Sequence, residues 1–121
     1  MPGPLSNLKV LDFSTLLPGP YATMLLADMG ADVLRVEAPG RLDLTRVMPP
    51  LEDGVSTSHT FLNRGKRSLG LHLKQEGSAA LVKQLVAEYD VVVEQFRPGV
   101  MDRLGIGYET LKAINPNLIY C

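Results

Sequence analysis

Short apolar runs alternate along this chain with segments whose apolar residues recur at helical spacing. Continuous apolar runs predict strands buried on both faces, and strict alternation predicts half-buried strands. On this basis strands are predicted at 8–13, 33–36, 69–73, 91–93 and 118–121.

Apolar residues at helical spacing predict the helices between these strands. Pro20 suits a first helical position, and Gly30 suits a left-handed position after the helix end. Segment 38–58 is interrupted by prolines and glycines and is predicted to be a long loop. The first helix has its apolar residues at Tyr21, Met24, Leu25 and Met29, and further helices are predicted at 76–89, 100–104 and 108–114.

The order of these elements predicts an α/β fold. Strands joined by helices through short links form parallel sheets, and right-handed crossovers place helices on both faces. We therefore expect a Rossmann-like open parallel sheet. With 121 residues and no internal repeat or linker, the chain is expected to form one domain over 1–121.

Composition narrows the range of partners. Hydrophobic residues make up 45% and charged residues 21% of the chain, as in folded globular domains. The net charge of −1 gives no reason to expect nucleic acid or an anionic membrane as a partner. No apolar run reaches the ~20 residues of a membrane helix, and the first residues lack the pattern of a secretory signal. Cys121 is the only cysteine, so we expect an ordinary strand residue in a reducing, cytoplasmic setting.

Cationic side chains follow two of the predicted strands. Ligands of open α/β sheets bind outside the carboxyl ends of the strands, where Lys74, Arg97 and Arg103 are expected to lie. The planar fork of arginine matches phosphate oxygens, and turn 17–20 opens a helix whose N-terminus favours an anion. The sequence therefore predicts a site for a phosphate-bearing ligand, although it contains neither G-x-G-x-x-G nor G-x-x-x-x-G-K-[ST].

Structural roles explain several other polar residues as well. The basic segment 64–67 fits a solvated surface, and Arg103 could pair with Asp102 or Glu109. His59 and His72 lack the clustering of metal ligands, so no metal site is predicted.

The acidic residues give a weaker signal. Asp12 and Asp28 are expected to be acids of a turn or a helix surface. Glu94 ends an apolar strand near the predicted ligand site and is the best-placed carboxylate. One acid alone does not identify an active site.

Several blocks of sequence, taken in order, resemble the amino-terminal portion of the class III CoA-transferase family. This family includes formyl-CoA transferase, carnitine CoA-transferases and the α-methylacyl-CoA racemases. The resemblance extends from Pro4 to Cys121, in blocks 5–13, 18–20, 25–33, 35–37, 63–68, 96–105 and 115–120.

The resemblance implies that coenzyme A or acyl-CoA binds here as a substrate, with no tightly bound cofactor. Several family members have Arg where Ala38 stands, so that phosphate contact is either missing here or supplied by Arg35, Arg41 or Arg46. Many have Asn where Gln95 stands, and some transferases have Gln where Leu17 stands. The implied contacts are Leu16, Leu17 and Pro18; Leu71, His72, Leu73 and Lys74 around the adenosine end; Gln95, Phe96 and Arg97; and Arg103 on a phosphate.

The activity implied by the resemblance is CoA transfer between carboxylic acids through an aspartyl anhydride, in an interlocked homodimer. The family's catalytic residues would lie beyond Cys121, so none is assigned here. The chain is expected to be a partial domain of the larger interlocked-ring fold and to be inactive alone. An α-methylacyl-CoA racemase is an alternative, which turn 17–20 and Gly65 resemble. A non-catalytic module that binds CoA or a nucleotide is another.

Overall fold

The computed structural model describes residues 2–121, which contain two β-sheets. The larger sheet is parallel and has strands β1 (Lys9–Asp12), β2 (Asp32–Glu37), β5 (Arg67–Gly70), β6 (Val91–Val93) and β7 (Ile119–Tyr120). Its strand order is β5-β2-β1-β6-β7. A small antiparallel pair is formed by β3 (Leu51–Glu52) and β4 (Val55–Ser56).

Helices cover both faces of the parallel sheet. They are α1 (Pro18–Asp28), α2 (Thr57–Leu62), α3 (Ser78–Val86), α4 (Val100–Arg103) and α5 (Tyr108–Ile114), with a 3₁₀ helix at Leu44–Val47. Alternate strand residues point to opposite faces: Leu11 and Val92 pack in the cluster that contains α3 and α5, whereas Val10 and Val91 pack with residues of α1. The predicted Rossmann-like α/β fold is therefore confirmed. Within residues 2–121, no helix combines the length and apolar character needed to cross a bilayer.

The first helix packs through a face that the apolar pattern identifies only in part. Of the four apolar positions at helical spacing, Met24 is buried, whereas Tyr21, Leu25 and Met29 are exposed. Thr23 takes part in the buried face because its hydroxyl hydrogen-bonds to buried oxygens of the protein. Gly30 does adopt the expected left-handed conformation, with a φ of 100°.

Two predicted segments differ most from the structure. The strand predicted at 69–73 is β5, which ends at Gly70; the Leu71 N–H still bonds to the Glu37 carbonyl at 3.0 Å before the chain turns. The loop predicted at 38–58 contains the 3₁₀ helix, the β3–β4 hairpin and the start of α2. Side-chain caps from Asp43 and Ser56 start the two helical pieces.

The strand order reverses between β1 and β6. Helix α1 leads from β1 to β2 on one side, whereas β6 pairs with the other side of β1. The loops that leave the carboxyl ends of β1 and β6 therefore diverge, which creates the crevice where open α/β sheets bind ligands. We call this space the switch-point crevice; segments 14–18 and 94–97 form its walls.

Candidate functional site

A side-chain hydrogen bond joins the two walls of the switch-point crevice. Gln95 Nε2 donates to the Thr15 carbonyl at 2.6 Å and lies 3.3 Å from the Thr15 hydroxyl. Gly19 fits beneath this bond because a Cβ there would overlap Ser14 and lie 2.8 Å from Gln95 Oε1. The crevice therefore requires glycine at position 19.

Helix α1 begins at the crevice with few free backbone donors. Pro18 and Pro20 have no N–H, and the Tyr21 N–H bonds to the Leu17 carbonyl at 2.9 Å. In this first turn, Gly19 is therefore the residue whose backbone N–H can donate to a ligand. An anion at this terminus would therefore depend on side chains from elsewhere.

The predicted contact residues fall into two groups along the carboxyl edge of the sheet. Leu16, Leu17 and Pro18 are exposed on one wall of the crevice, and Gln95, Phe96 and Arg97 are exposed on the other. Segment 71–74 follows β5, which lies three strand positions from β6. At ~4.8 Å per position, the ends of β5 and β6, which lead into segments 71–74 and 95–97, are about 14 Å apart. Only an extended ligand would touch both.

Segment 71–74 exposes alternate side chains. Leu71 and Leu73 are half-buried and pack against the core, whereas His72 and Lys74 are exposed. His72 Nδ1 accepts a hydrogen bond from the Lys74 N–H at 3.3 Å. His72 and Lys74 are therefore the side chains that this segment offers to a ligand.

Arg97 and Arg103 lie on either side of the turn that starts α4. The Val100 N–H bonds to the Arg97 carbonyl at 3.1 Å, and Arg103 Nη1 lies 3.6 Å from the point that a Cβ on Gly99 would occupy. Both side chains are exposed, and neither forms an ion pair within residues 2–121. The pairing considered for Arg103 with Asp102 or Glu109 is absent from that range, so both guanidinium groups are available.

A polar cleft of about 230 Å³ adjoins Arg97 and is also lined by Asp102, Tyr108 and Tyr120. On its wall, Glu94 accepts hydrogen bonds from the Phe96 N–H at 2.7 Å and from the Tyr120 hydroxyl at 3.3 Å. Burial and the nearby Glu94 charge raise the pKa of Tyr120. Glu94 therefore orders the turn after β6.

A mostly apolar groove of about 690 Å³ lies on the other side of turn 16–18. It is lined by Leu16, Leu17, Tyr21, Met48 and Phe61, with the hydroxyl residues Thr45, Thr57 and Ser58. Phe61 is 54% exposed and Leu17 is 62% exposed. This Leu17 groove shares the exposed Leu16 and Leu17 with the wall of the crevice.

Asp12 bonds to the turn that follows β1, as expected of a turn acid, but it is fully buried and does not lie on a helix surface. Its carboxylate accepts hydrogen bonds from the Ser14 N–H at 2.8 Å and from the Thr23 hydroxyl at 2.5 Å. Lys66 Nζ lies 3.5 Å from the carboxylate and donates to the Pro20 carbonyl at 3.0 Å. These contacts join β1, α1 and the segment before β5 beneath the crevice.

The basic segment 64–67 is a solvated surface only in part. Arg64 and Arg67 are exposed and pair with Asp28 and Asp32. The side chain of Lys66 is only 2% exposed, and this burial lowers its pKa. The buried lysine thus corrects the surface prediction for one residue, whereas the surface position of Asp28 is confirmed.

A second buried charge cluster lies next to the first turn. The Arg35 guanidinium bonds to Asp43 at 2.5 Å and lies 3.4 Å from Glu37, so Arg35 is not free for a phosphate. Arg46 forms a fork to both Glu37 oxygens at 2.7 to 3.1 Å. Burial acts to raise the pKa of Glu37, but bonds from Arg46 and the Asp43 N–H and the charge of Arg35 lower it to about 2. Of the three arginines considered for the phosphate contact at position 38, Arg41 is exposed and outside this cluster.

His59 and Asn63 connect the two clusters. His59 Nδ1 lies 3.0 Å from the Thr45 hydroxyl and 3.3 Å from Asn63 Nδ2. Asn63 Oδ1 accepts from Lys66 Nζ at 3.3 Å. Burial and the neighbouring arginines lower the pKa of His59, which favours its neutral form. The expected structural role of His59 is consistent with these contacts.

One feature of the sequence does indicate a buried charge cluster. Arg35 stands between Leu34 and Val36 in a strand that reads as buried on both faces. A buried guanidinium needs acidic partners, which points to an acid in a nearby loop. Nothing in the sequence pattern identifies Asp43 as that acid.

Comparison with known proteins gives a consistent result. A sequence model described as CoA-transferase family III matches residues 5–121. The acetyl-CoA:oxalate CoA-transferase of Acetobacter aceti is 48% identical over 98% of this chain, and the human succinyl-CoA:glutarate CoA-transferase is 42% identical over 98%. A solved CAIB/BAIF family protein from Brucella suis superposes with a TM-score of 0.91 at 44% identity, over 100% of this chain and 33% of its own. The chain spans 30% of the Acetobacter enzyme and 27% of the human enzyme.

Proposed function

This chain belongs to CoA-transferase family III, and on that premise we propose that the carboxyl edge of its sheet forms the coenzyme A site of an acyl-CoA transferase. The observation that supports this most directly is the switch-point crevice, whose walls are joined by the Gln95–Thr15 bond. Exposed arginines stand beside it, as a ligand with several phosphates requires.

We place the parts of coenzyme A by the chemistry of each segment. Arg97 and Arg103 would bind phosphate oxygens, and His72 and Lys74 would flank the adenosine end about 14 Å away along the edge. Turn 16–18 would contact the arm that carries the thiol. This arrangement uses the extended shape of coenzyme A to reach both groups of residues.

Calorimetric titration of the 121-residue chain tests the binding proposal. Coenzyme A is compared with pantetheine, which lacks all phosphates, and with adenosine 3′,5′-bisphosphate, which lacks the arm. We expect coenzyme A to bind more tightly than either part because both groups of contacts contribute. An absence of binding at millimolar coenzyme A would contradict a self-sufficient site on this chain.

We further infer that the parent enzyme moves CoA between carboxylic acids through an anhydride on an aspartate outside residues 1–121. A carboxylate nucleophile divides one difficult acyl transfer into two easier steps. The carboxylates near the crevice have other roles: Asp12 and Asp43 are buried, and Glu94 accepts two hydrogen bonds. For the same reason, we propose that the chain alone is inactive.

The transfer proposal is tested with the parent enzyme, acetyl-CoA or succinyl-CoA, and a carboxylic acid such as oxalate, mesaconate or glutarate. Formation of the new acyl-CoA supports it. Exchange of the α-proton of a 2-methylacyl-CoA in D₂O, without transfer, would instead support the racemase alternative. We also propose a cytoplasmic, interlocked homodimer for the parent enzyme, for which light scattering should give the mass of two subunits.

A further inference from the structure

Leu16 adopts a backbone conformation that leucine normally avoids. Its φ is 64°, and within residues 2–121 the only other non-glycine residue with a positive φ is Asp53, at 51°. In the left-handed region the Cβ of an ordinary residue crowds the backbone, so this conformation persists only where the surroundings impose it.

Asp43 is the side chain that accepts a hydrogen bond from this strained residue. The Leu16 N–H points at both Asp43 carboxylate oxygens, each 3.3 Å away. Asp43 is itself fixed, because it is 3% exposed, accepts from the Thr45 N–H at 2.9 Å and is paired with buried Arg35. A rigid buried acceptor therefore faces the one strained residue of the turn.

The strained turn exposes two leucines to the ligand side. Leu16 is 41% exposed and Leu17 is 62% exposed, and both line the Leu17 groove beside Tyr21 and Phe61. A change of φ at Leu16 would redirect both side chains, since they follow one another along the backbone.

We propose that Asp43 is a positioning residue, which holds Leu16 in the left-handed conformation so that Leu16 and Leu17 contact bound coenzyme A. The contact with coenzyme A rests on the proposed function; the restraint on Leu16 does not. Asp43 acts on the ligand only through the backbone of Leu16.

This role predicts a specific dependence on the residue at position 16. Glycine adopts positive φ without strain and so depends less on Asp43. A β-branched residue resists positive φ, so Leu16→Ile should bind coenzyme A less tightly although its volume is unchanged and the buried ion pair is untouched.

The experiment measures coenzyme A affinity for the wild-type chain, Asp43→Asn, Leu16→Gly and the double variant. We expect Asp43→Asn to raise Kd about tenfold in the wild-type background but only about twofold in the Leu16→Gly background. Asp53→Asn makes the same chemical change at the other positive-φ position, which is exposed in the β3–β4 hairpin, and should leave Kd unchanged. Far-UV circular dichroism confirms that each variant is folded.

Equal penalties for Asp43→Asn in the wild-type and Leu16→Gly backgrounds, or wild-type affinity of Leu16→Ile, would overturn the proposal. Backbone chemical shifts and amide exchange at Leu16 supply a readout that needs no ligand. In Asp43→Ala, which removes both acceptor oxygens, Leu16 should leave the left-handed region and lose exchange protection, and an unchanged Leu16 would refute the restraint. If the wild-type chain binds no coenzyme A while Leu16 responds in this way, the proposed function fails and the restraint stands.

Discussion

Asp12 and Lys66 are 54 residues apart in sequence, yet the carboxylate and the ammonium lie 3.5 Å apart beneath the first turn of α1. Both side chains are almost completely shielded from water, at 0% and 2% exposure. The contact joins the central strand of the sheet to the segment that enters its edge strand. The charged pair thus supports the floor of the switch-point crevice.

Replacing Lys66 should destabilise the protein strongly. Lys66→Met leaves the Asp12 carboxylate buried without a counter-charge, which costs about 3–5 kcal/mol of unfolding free energy. Urea denaturation followed by circular dichroism measures the change. Arg64→Met, which removes a cation from the 43% exposed side chain paired with Asp28, is the matched control and should cost less than about 1 kcal/mol. Equal losses of unfolding free energy in the two variants would show that the buried Asp12–Lys66 pair stabilises the fold no more than an exposed pair does.

Stability should fall in acid partly through Glu37. Its folded pKa of about 2 lies below the ordinary 4.5, so its contribution is complete above the ordinary value and is lost as the pH falls towards 2. The difference between these two pKa values corresponds to about 3 kcal/mol of unfolding free energy. Glu37→Gln should therefore be less stable than the wild type at pH 7, by an amount that shrinks below pH ~4.5.

Urea unfolding at several pH values between 7 and 2 measures this effect. Glu76→Gln, at an exposed position before α3, controls for the loss of a carboxylate. A pH-independent difference between wild type and Glu37→Gln would contradict the assignment.

Gly19→Ala should disturb the crevice without unfolding the sheet. The added methyl group overlaps Ser14 and crowds Gln95 Oε1, so the turn must shift, at a cost of about 1–3 kcal/mol. Coenzyme A affinity should fall as well. Gly70→Ala is the control, because its Cβ would meet Pro39 Cγ at an ordinary 3.6 Å. If Gly19→Ala bound coenzyme A with unchanged affinity, the Gln95–Thr15 bond would not be needed for ligand binding.

Arg103→Ala should weaken coenzyme A binding by about 1.5–3 kcal/mol, the scale of a charge-assisted hydrogen bond. Its guanidinium is exposed and has no ion-pair partner in residues 2–121, so its loss should not change stability. Lys9→Ala removes an exposed cation at the amino-terminal end of β1, opposite the carboxyl ends of the strands, and serves as the control. A similar effect of both variants would indicate only a general electrostatic attraction.

The sequence predicted the sheet because its strands and helices depend on local patterns. The apolar run at Val91–Val93 and the spacing of Val82 and Val86 predict a strand and a helix face that the structure contains. The position of the carboxyl ends, where a ligand site is predicted, then follows from the direction of the strands. The roles of Asp12 and Asp43 could not be predicted from the sequence. Their partners are set by tertiary packing between distant segments that share no periodic signal.

The bond between Gln95 and Thr15 spans 80 residues, and this separation has a consequence for the order of folding. The first wall of the crevice is synthesised early, but the second does not exist until β6 has been made and has paired with β1. Such long-range pairing is the slow part of folding for parallel sheets. Competence to bind a ligand in the crevice should therefore appear late, together with the last cooperative step, so that ligand binding reports a completely folded sheet.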